Sequence, residues 1–138
     1  MEPSRILLVD DHVLLRKGIA ALLATREDMV VVGEAGNGLE AIALARKTAP
    51  DIILMDLLMP ECGGLEAIKV LKQEMPHVHI VILTVSEDDR HLFASIKSGA
   101  SGYLLKTLEP GELFSMLEGL RRGEAAISRV LASKILQE

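Results

Sequence analysis

The chain is poor in aromatic residues and in cysteine, and it has no long apolar segment. Only 2% of its 138 residues are aromatic, Trp is absent, and Cys62 is the single cysteine. Few aromatics argue against a base-stacking surface for single-stranded nucleic acid. A lone cysteine cannot form an internal disulfide and fits a reducing compartment. No apolar run reaches the roughly 18 residues that span a membrane. We therefore expect a cytoplasmic protein with an aliphatic core and no membrane contact.

The overall charge is negative. A formal net charge of −5 argues against nonspecific binding of this segment to a nucleic-acid backbone. The content of 49% hydrophobic and 25% charged residues is typical of a globular protein, and 138 residues correspond most simply to one domain.

Strand-like and helix-like patterns alternate along the chain. Apolar runs predict strands at 5–10, 30–32, 51–55, 79–83 and 102–105. Helical spacing follows each of them, and the stretch from Gly33 to Gly38 is predicted as a loop whose Asn37 caps the second helix. Gly99 is placed to end the fourth helix. Five successive βα units imply an α/β fold with a doubly wound, five-stranded parallel sheet covered by helices on both faces.

The last part of the chain departs from this alternation. After Arg122 and Gly123, apolar residues recur at helical spacing with no strand before them. Residues 123–138 are predicted to form a linker or an extra C-terminal helix, which could pack on the domain or mediate dimer contacts.

Polar residues suited to phosphate or metal chemistry stand at the ends of four apolar runs. Asp10 and Asp11 follow the first run, Asp56 follows the third, Thr84 ends the fourth, and Lys106 follows the fifth. The carboxyl ends of parallel strands share one edge of the sheet, where ligands bind. Three acids, a hydroxyl and an ammonium at this edge suggest a site that holds a divalent cation and takes a phosphoryl group onto a carboxylate.

Each of these residues also has a simpler explanation. One acid of the Asp10–Asp11 pair could cap the helix that begins near His12, although two adjacent acids repel each other unless they share a cation. Asp56 could be an ordinary turn residue. Taken alone, Thr84 and Lys106 would be a strand residue and a solvated lysine, so their common position at strand ends carries the argument.

Four ordered motifs point to a known family. They are Val9-Asp10-Asp11-His12, Met55-Asp56-Leu57-Leu58-Met59-Pro60 with Gly64, Leu83-Thr84-Val85-Ser86, and Gly99-Ala100-Ser101-Gly102-Tyr103-Leu104-Leu105-Lys106. With them, the chain resembles bacterial response-regulator receiver domains of the two-component systems, most closely the NarL/FixJ (LuxR-type) branch. The resemblance covers about residues 4–122 and implies a flavodoxin-like strand order, as in CheY-like receivers.

The resemblance assigns the phosphoryl and metal chemistry to the acids. It implies that Asp56 accepts a phosphoryl group from a sensor histidine kinase. It also implies that Asp11 and Asp56 ligate Mg²⁺ together with the backbone carbonyl of Leu58, while Asp10 holds the metal's waters.

The resemblance gives the remaining site residues the task of sensing the phosphoryl group. Thr84 and Lys106 would bind its oxygens. Thr84 would move inward and vacate space for Tyr103, so that the two residues act as the switch that changes the protein's surface. The chain is thus expected to be a phosphoprotein switch and not an enzyme, limited to self-phosphorylation and autodephosphorylation.

The resemblance also implies a wider role in transcription regulation. The leading hypothesis is the receiver part of a two-domain regulator that dimerises on activation and binds DNA only through an output domain missing from this chain. The alternative is a stand-alone receiver acting through protein–protein contacts. A phosphohydrolase is disfavoured because Leu58 stands where a second acid is needed. A dinucleotide carrier is disfavoured because acids replace the Gly-rich loop after the first strand.

Overall fold

Strands and helices alternate strictly in the computed structural model, which describes residues 2–59, 62–85, 88–106, 109–123 and 126–127. In chain order the elements are β1 (Ser4–Val9), α1 (Val13–Leu23), β2 (Met29–Ala35), α2 (Gly38–Thr48), β3 (Ile52–Met55), α3 (Gly64–Glu74), β4 (His79–Thr84), α4 (Asp89–Ser98), β5 (Gly102–Leu105), α5 (Pro110–Arg121) and β6 (Ala126–Ile127).

All strand pairings of the sheet are parallel, in the order β2-β1-β3-β4-β5-β6. The order of the first five strands is flavodoxin-like, and the chain reverses its direction of winding between β1 and β3. The predicted doubly wound α/β fold is therefore confirmed. Because the strands are parallel, the residues that follow β1, β3, β4 and β5 share one edge.

Two aliphatic layers hold the sheet. On one face, side chains of α2, α3 and α4 pack against the strands, and on the other face those of α1 and α5 do so. Alternate residues of a strand point to opposite layers, so Leu7 belongs to the first layer and Ile6 to the second. Burial on both faces explains the nearly continuous apolar runs in the sequence. No helix in the described part of the chain is long and apolar enough to cross a membrane.

Local signals in the sequence fix several helix ends. The Asn37 side chain accepts a hydrogen bond from the backbone N–H of Glu40 at 2.9 Å, which confirms the predicted cap of α2. Gly99 has a φ of +117° at the end of α4, a backbone conformation that side chains disfavour. A reciprocal capping box formed by Glu109 and Glu112 begins α5.

The second strand differs from its prediction. The expected loop from Gly33 onward is strand as far as Ala35, and strand β2 begins at Met29. Gly33, Glu34 and Ala35 pair with the end of β1 after a register irregularity between Ile6 and Leu7. Pairing with the central strand therefore extends β2 through a glycine that the local pattern assigns to a loop.

The C-terminal tail also differs from its predicted helix at residues 126–127, the part of residues 124–138 that the structure describes. Ala126 and Ile127 form the short strand β6 along β5 instead of a helix. An unpaired strand edge offers backbone hydrogen bonds that outweigh a weak helical pattern. Residues 128–138, which complete the predicted helix, lie outside the described residues.

Candidate functional site

Two buried carboxylates share one ammonium group at the carboxyl edge of the sheet. The Lys106 Nζ atom lies 2.8 Å from Asp10 Oδ2 and 3.4 Å from Asp56 Oδ2. The Asp10 and Asp56 side chains are 7% and 4% exposed, and the Lys106 side chain is 8% exposed. At this degree of burial each charge depends on its partners, because water solvates it poorly. The predicted convergence of these three residues is confirmed.

Backbone hydrogen bonds place the three residues. The Asp56 N–H donates to the Val9 carbonyl at 2.8 Å, and the Lys106 N–H donates to the Thr84 carbonyl at 2.8 Å. The Asp10 carbonyl accepts from Arg16 Nη1 at 2.6 Å. Each functional side chain thus leaves the sheet within one residue of a hydrogen-bonded strand end, which gives the site a rigid base.

His12 joins this cluster, although the sequence alone assigns it no role. Its Nδ1 atom is 3.0 Å from Asp10 Oδ1 and 3.3 Å from Lys106 Nζ. The Asp10 Oδ1 atom also accepts from the His12 backbone N–H at 2.8 Å. Asp10 therefore orders the turn before α1, and the His12 side chain itself makes no cap for that helix. The position of His12 next to two acids was the signal that could have identified it.

The loop after Asp56 is held by a close approach to α3. The Gly64 N–H donates to the Leu57 carbonyl at 2.9 Å. A Cβ atom on Gly64 would lie 2.9 Å from the Leu57 Cα and 3.0 Å from the Asp56 carbonyl oxygen. Only glycine fits there without a shift of the backbone, so Gly64 sets the position of the loop relative to Asp56.

A second contact ties the same loop to α2. The Gly38 N–H donates to the Cys62 carbonyl at 3.0 Å, and a Cβ on Gly38 would lie 2.5 Å from that oxygen. The start of α2 and the residues before α3 therefore pack backbone to backbone.

The pKa of Asp56 is raised from its ordinary value. Burial is the main cause, and the neighbouring negative charge of Asp10 adds to it. The positive charge of Lys106 and a hydrogen bond from the Leu58 N–H, 3.4 Å from Asp56 Oδ1, act in the opposite direction. Asp56 is thus a desolvated carboxylate, the kind of group that gains from a further cation.

The donor set at this edge could hold a metal ion. One ligand atom each from Asp10, Asp11, His12 and Asp56 can be chosen so that all lie within 4.8 Å of one another. The three carboxylates outnumber the single ammonium of Lys106, so a divalent cation would bring the cluster to neutrality. Carboxylate oxygens are the ligands that hard divalent cations prefer.

The other predicted site residues lie around this cluster. The Asp11 side chain is 35% exposed to solvent, and the Leu58 side chain is exposed as well. Thr84 ends β4 and is fully buried. Tyr103 is 1% exposed in the middle of β5, among the residues of the layer that includes α4. Asp11, Leu58 and Thr84 stand at or just after strand ends and Tyr103 lies within β5, and the roles of all four remain predictions.

The sequence matches a known family over most of its length. The family model of the response regulator receiver domain matches residues 6–118. The chain is 45% identical over 134 residues to an uncharacterized transcriptional regulatory protein, YxjL, of Bacillus subtilis, covering 97% of this chain and 62% of the relative. It is 42% identical over 130 residues to the nitrate/nitrite response regulator NarL of Escherichia coli, covering 94% and 60%. The chain thus spans about three fifths of these relatives.

A solved structure agrees with these matches. The crystal structure of a LuxR-family two-component response regulator from an Aurantimonas species superposes with a TM-score of 0.91 at 37% sequence identity, covering 99% of this chain and 97% of that one. The match thus extends over nearly the whole chain. The chain belongs to the response regulator receiver domains, in their NarL/LuxR-type branch.

Proposed function

We propose that this receiver accepts a phosphoryl group on Asp56 from a sensor histidine kinase in a Mg²⁺-dependent reaction. The observation that carries the proposal is the buried Asp56 carboxylate, 3.4 Å from Lys106 Nζ and beside a second carboxylate bound to the same lysine. A carboxylate so placed can act as a nucleophile and form an acyl phosphate.

The chemistry is a transfer between two nucleophiles. An Asp56 carboxylate oxygen attacks the phosphorus of a phosphohistidine, the new O–P bond forms as the N–P bond breaks, and the proton needed by the departing imidazole comes from solvent. Lys106 then pairs with the added negative charge and loses its share of Asp10. A bound Mg²⁺ would supply charge neutralisation for the phosphoryl oxygens.

The acids provide the ligands that such an ion needs. Asp11, Asp56 and the backbone carbonyl of Leu58 would hold it, and Asp10 would hold its waters. The excess negative charge at this edge and the exposure of Asp11 toward solvent support this assignment.

The same event would be sensed by Thr84 and Tyr103. The Thr84 hydroxyl would bind a phosphoryl oxygen, and its movement would give the buried Tyr103 ring a new space to fill. Both side chains lie in neighbouring strands, and Tyr103 packs in the layer that includes α4. The change at Asp56 would therefore reach the α4–β5–α5 surface.

In a longer protein, this change would control transcription. The curated relatives above carry names of transcriptional and nitrate/nitrite response regulators, and they extend well beyond the matched region. This favours a DNA-binding output domain over a receiver that acts alone. We further propose that phosphorylation promotes a homodimer, because binding sites for such regulators on DNA are usually two-fold.

Intact-mass analysis after incubation with acetyl phosphate and Mg²⁺ tests the assignment of Asp56. We expect the wild-type chain to gain the mass of one phosphoryl group and Asp56→Asn to gain none. Asp51→Asn is the matched control, since Asp51 is an exposed acid just before the same strand, and it should be labelled like wild type. Equal labelling of Asp56→Asn and wild type would overturn the proposal. EDTA should abolish labelling if a divalent cation is required.

A further inference from the structure

A side chain that takes no part in the phosphoryl chemistry holds the backbone of Asp10. Arg16 belongs to the first turn of α1, and its Nη1 atom donates to the Asp10 carbonyl at 2.6 Å. The Asp10 N–H donates to the Ala35 carbonyl at 3.0 Å, so both backbone hydrogen-bonding groups of Asp10 are bound. The Arg16 side chain is only 14% exposed. Water therefore competes little for the bond between Arg16 and Asp10.

Glu34 fixes the direction of the Arg16 guanidinium. The Arg16 Nε atom donates to Glu34 Oε1 at 3.0 Å, and Lys17 Nζ donates to the other carboxylate oxygen at 3.2 Å. Burial alone would raise the pKa of Glu34, but the hydrogen bonds from these two cations outweigh it and the pKa is lowered. Because the donors of arginine form a rigid planar fork, a partner on Nε also sets where Nη1 points. Charge-assisted hydrogen bonds thus connect β2 through α1 to Asp10.

The Asp10 carboxylate carries this restraint into the phosphoryl site. Its Oδ2 atom lies 2.8 Å from Lys106 Nζ, and its Oδ1 atom accepts from the His12 N–H at 2.8 Å. A rotation of the Asp10 backbone would shift both carboxylate oxygens relative to Lys106 and Asp56. Outer partners that orient the ligands of a metal change its affinity by about 10–100-fold when they are lost.

We propose that Arg16, oriented by Glu34, is a positioning residue that holds Asp10 in the geometry needed for Mg²⁺ binding at Asp56. This inference rests on the proposed function, because it needs a Mg²⁺-dependent reaction there. Arg16 acts through the Asp10 backbone and not on the reacting atoms. Its loss should therefore weaken Mg²⁺ binding more than it slows phosphoryl transfer at saturating Mg²⁺.

Amide chemical shifts of the ¹⁵N-labelled chain, followed during titration with Mg²⁺, measure this binding without any phosphoryl transfer. We expect Arg16→Gln to raise the Kd for Mg²⁺ about tenfold. Lys17→Gln is the matched control, because it also removes one positive charge and one bond to Glu34, but from a side chain that is 61% exposed. Its Kd should stay within about twofold of wild type. An unchanged Kd in Arg16→Gln, or an equal rise in both variants, would overturn the proposal.

The rate of labelling by acetyl phosphate separates positioning from folding. Arg16→Gln should need about tenfold more Mg²⁺ for its half-maximal rate, while its rate at saturating Mg²⁺ falls by about threefold or less. A variant that is only less well folded would be labelled less at every Mg²⁺ concentration and keep the half-maximal concentration of wild type. That second result would overturn the proposal.

Glu34→Gln keeps the arginine and removes the charge that orients it. We expect a rise in the Kd for Mg²⁺ of about threefold, and no further rise when this change is added to Arg16→Gln, because both act through one contact. Additive effects would overturn the role of Glu34 in the proposal. Wild type that neither binds Mg²⁺ nor is labelled would contradict the proposed function itself. Wild type that does both leaves that function standing, whatever the variants show.

Discussion

Replacing Lys106 by Met removes the one cation between two buried carboxylates and keeps the aliphatic stem. The Lys106 ammonium lies 2.8 Å from Asp10 and 3.4 Å from Asp56, and all three side chains are less than one tenth exposed. Taking one member from a buried ion pair costs about 3–5 kcal/mol of the free energy of unfolding. We expect Lys106→Met to destabilise the metal-free protein at pH 7 by a similar amount.

Protonation limits this cost. A carboxylate left without its partner can bind a proton, and for an ordinary pKa near 3.9 this costs about 4 kcal/mol at pH 7 and about 1.5 kcal/mol at pH 5. In Lys106→Met, the pKa of Asp56 rises further because burial and Asp10 already raise it and the opposing lysine is gone. The folded variant then keeps protons that the unfolded chain releases, so its stability falls as the pH rises above about 4.

Protonation caps the loss, so the predicted values are about 3–4 kcal/mol at pH 7 and about 1.5 kcal/mol or less at pH 5. Urea unfolding followed by circular dichroism in EDTA measures both, since the chain has no Trp to follow by fluorescence. Lys17→Met is the matched control: Lys17 is 61% exposed and 3.2 Å from Glu34, so its loss should stay below about 1 kcal/mol. An equal loss for Lys106→Met at both pH values would refute the electrostatic argument.

Three further changes, one of them with a comparison variant, test other parts of the structure by urea unfolding. Asp56→Asn removes a buried carboxylate whose pKa is raised by burial, so the metal-free variant should be more stable than wild type at pH 7, and the gain should shrink as the pH falls; a loss at pH 7 would contradict this. Gly64→Ala should cost about 1–3 kcal/mol, because its Cβ would lie 2.9 Å from the Leu57 Cα. Gly111→Ala, a helix position with open space, should instead gain up to about 1 kcal/mol. Asn37→Ala should lose about 1 kcal/mol with the cap of α2, whereas unchanged stability would mean that the cap contributes nothing.

The convergence of Asp10, Asp56 and Lys106 was predictable because it depends only on the direction of the strands. Once the apolar runs are read as parallel strands, the residues after them must meet at one edge. The sequence cannot predict which of two neighbouring acids binds the lysine. The fold decides this, since Asp10 is buried beside Lys106 while Asp11 is partly exposed.

The errors of prediction arise where pairing between distant segments overrides the local pattern. Gly33 and its neighbours look like a loop in sequence but complete the pairing of β2 with β1. Ala126 and Ile127 fit a helical repeat in sequence, yet in the structure they pair with β5 as a parallel strand. The contacts of His12 with Asp10 and Lys106 were not predicted, because they depend on the turn in which Asp10 accepts a hydrogen bond from the His12 backbone N–H.

Cys62 makes the loop after Asp56 accessible to a chemical measurement. It is the single cysteine of the chain, it is 8% exposed, and burial raises the pKa of its thiol. Alkylating reagents act on the exposed thiolate, so they can modify Cys62 only during openings that separate it from Gly38. The rate of alkylation therefore measures how often this loop opens, in the native sequence and without an introduced label.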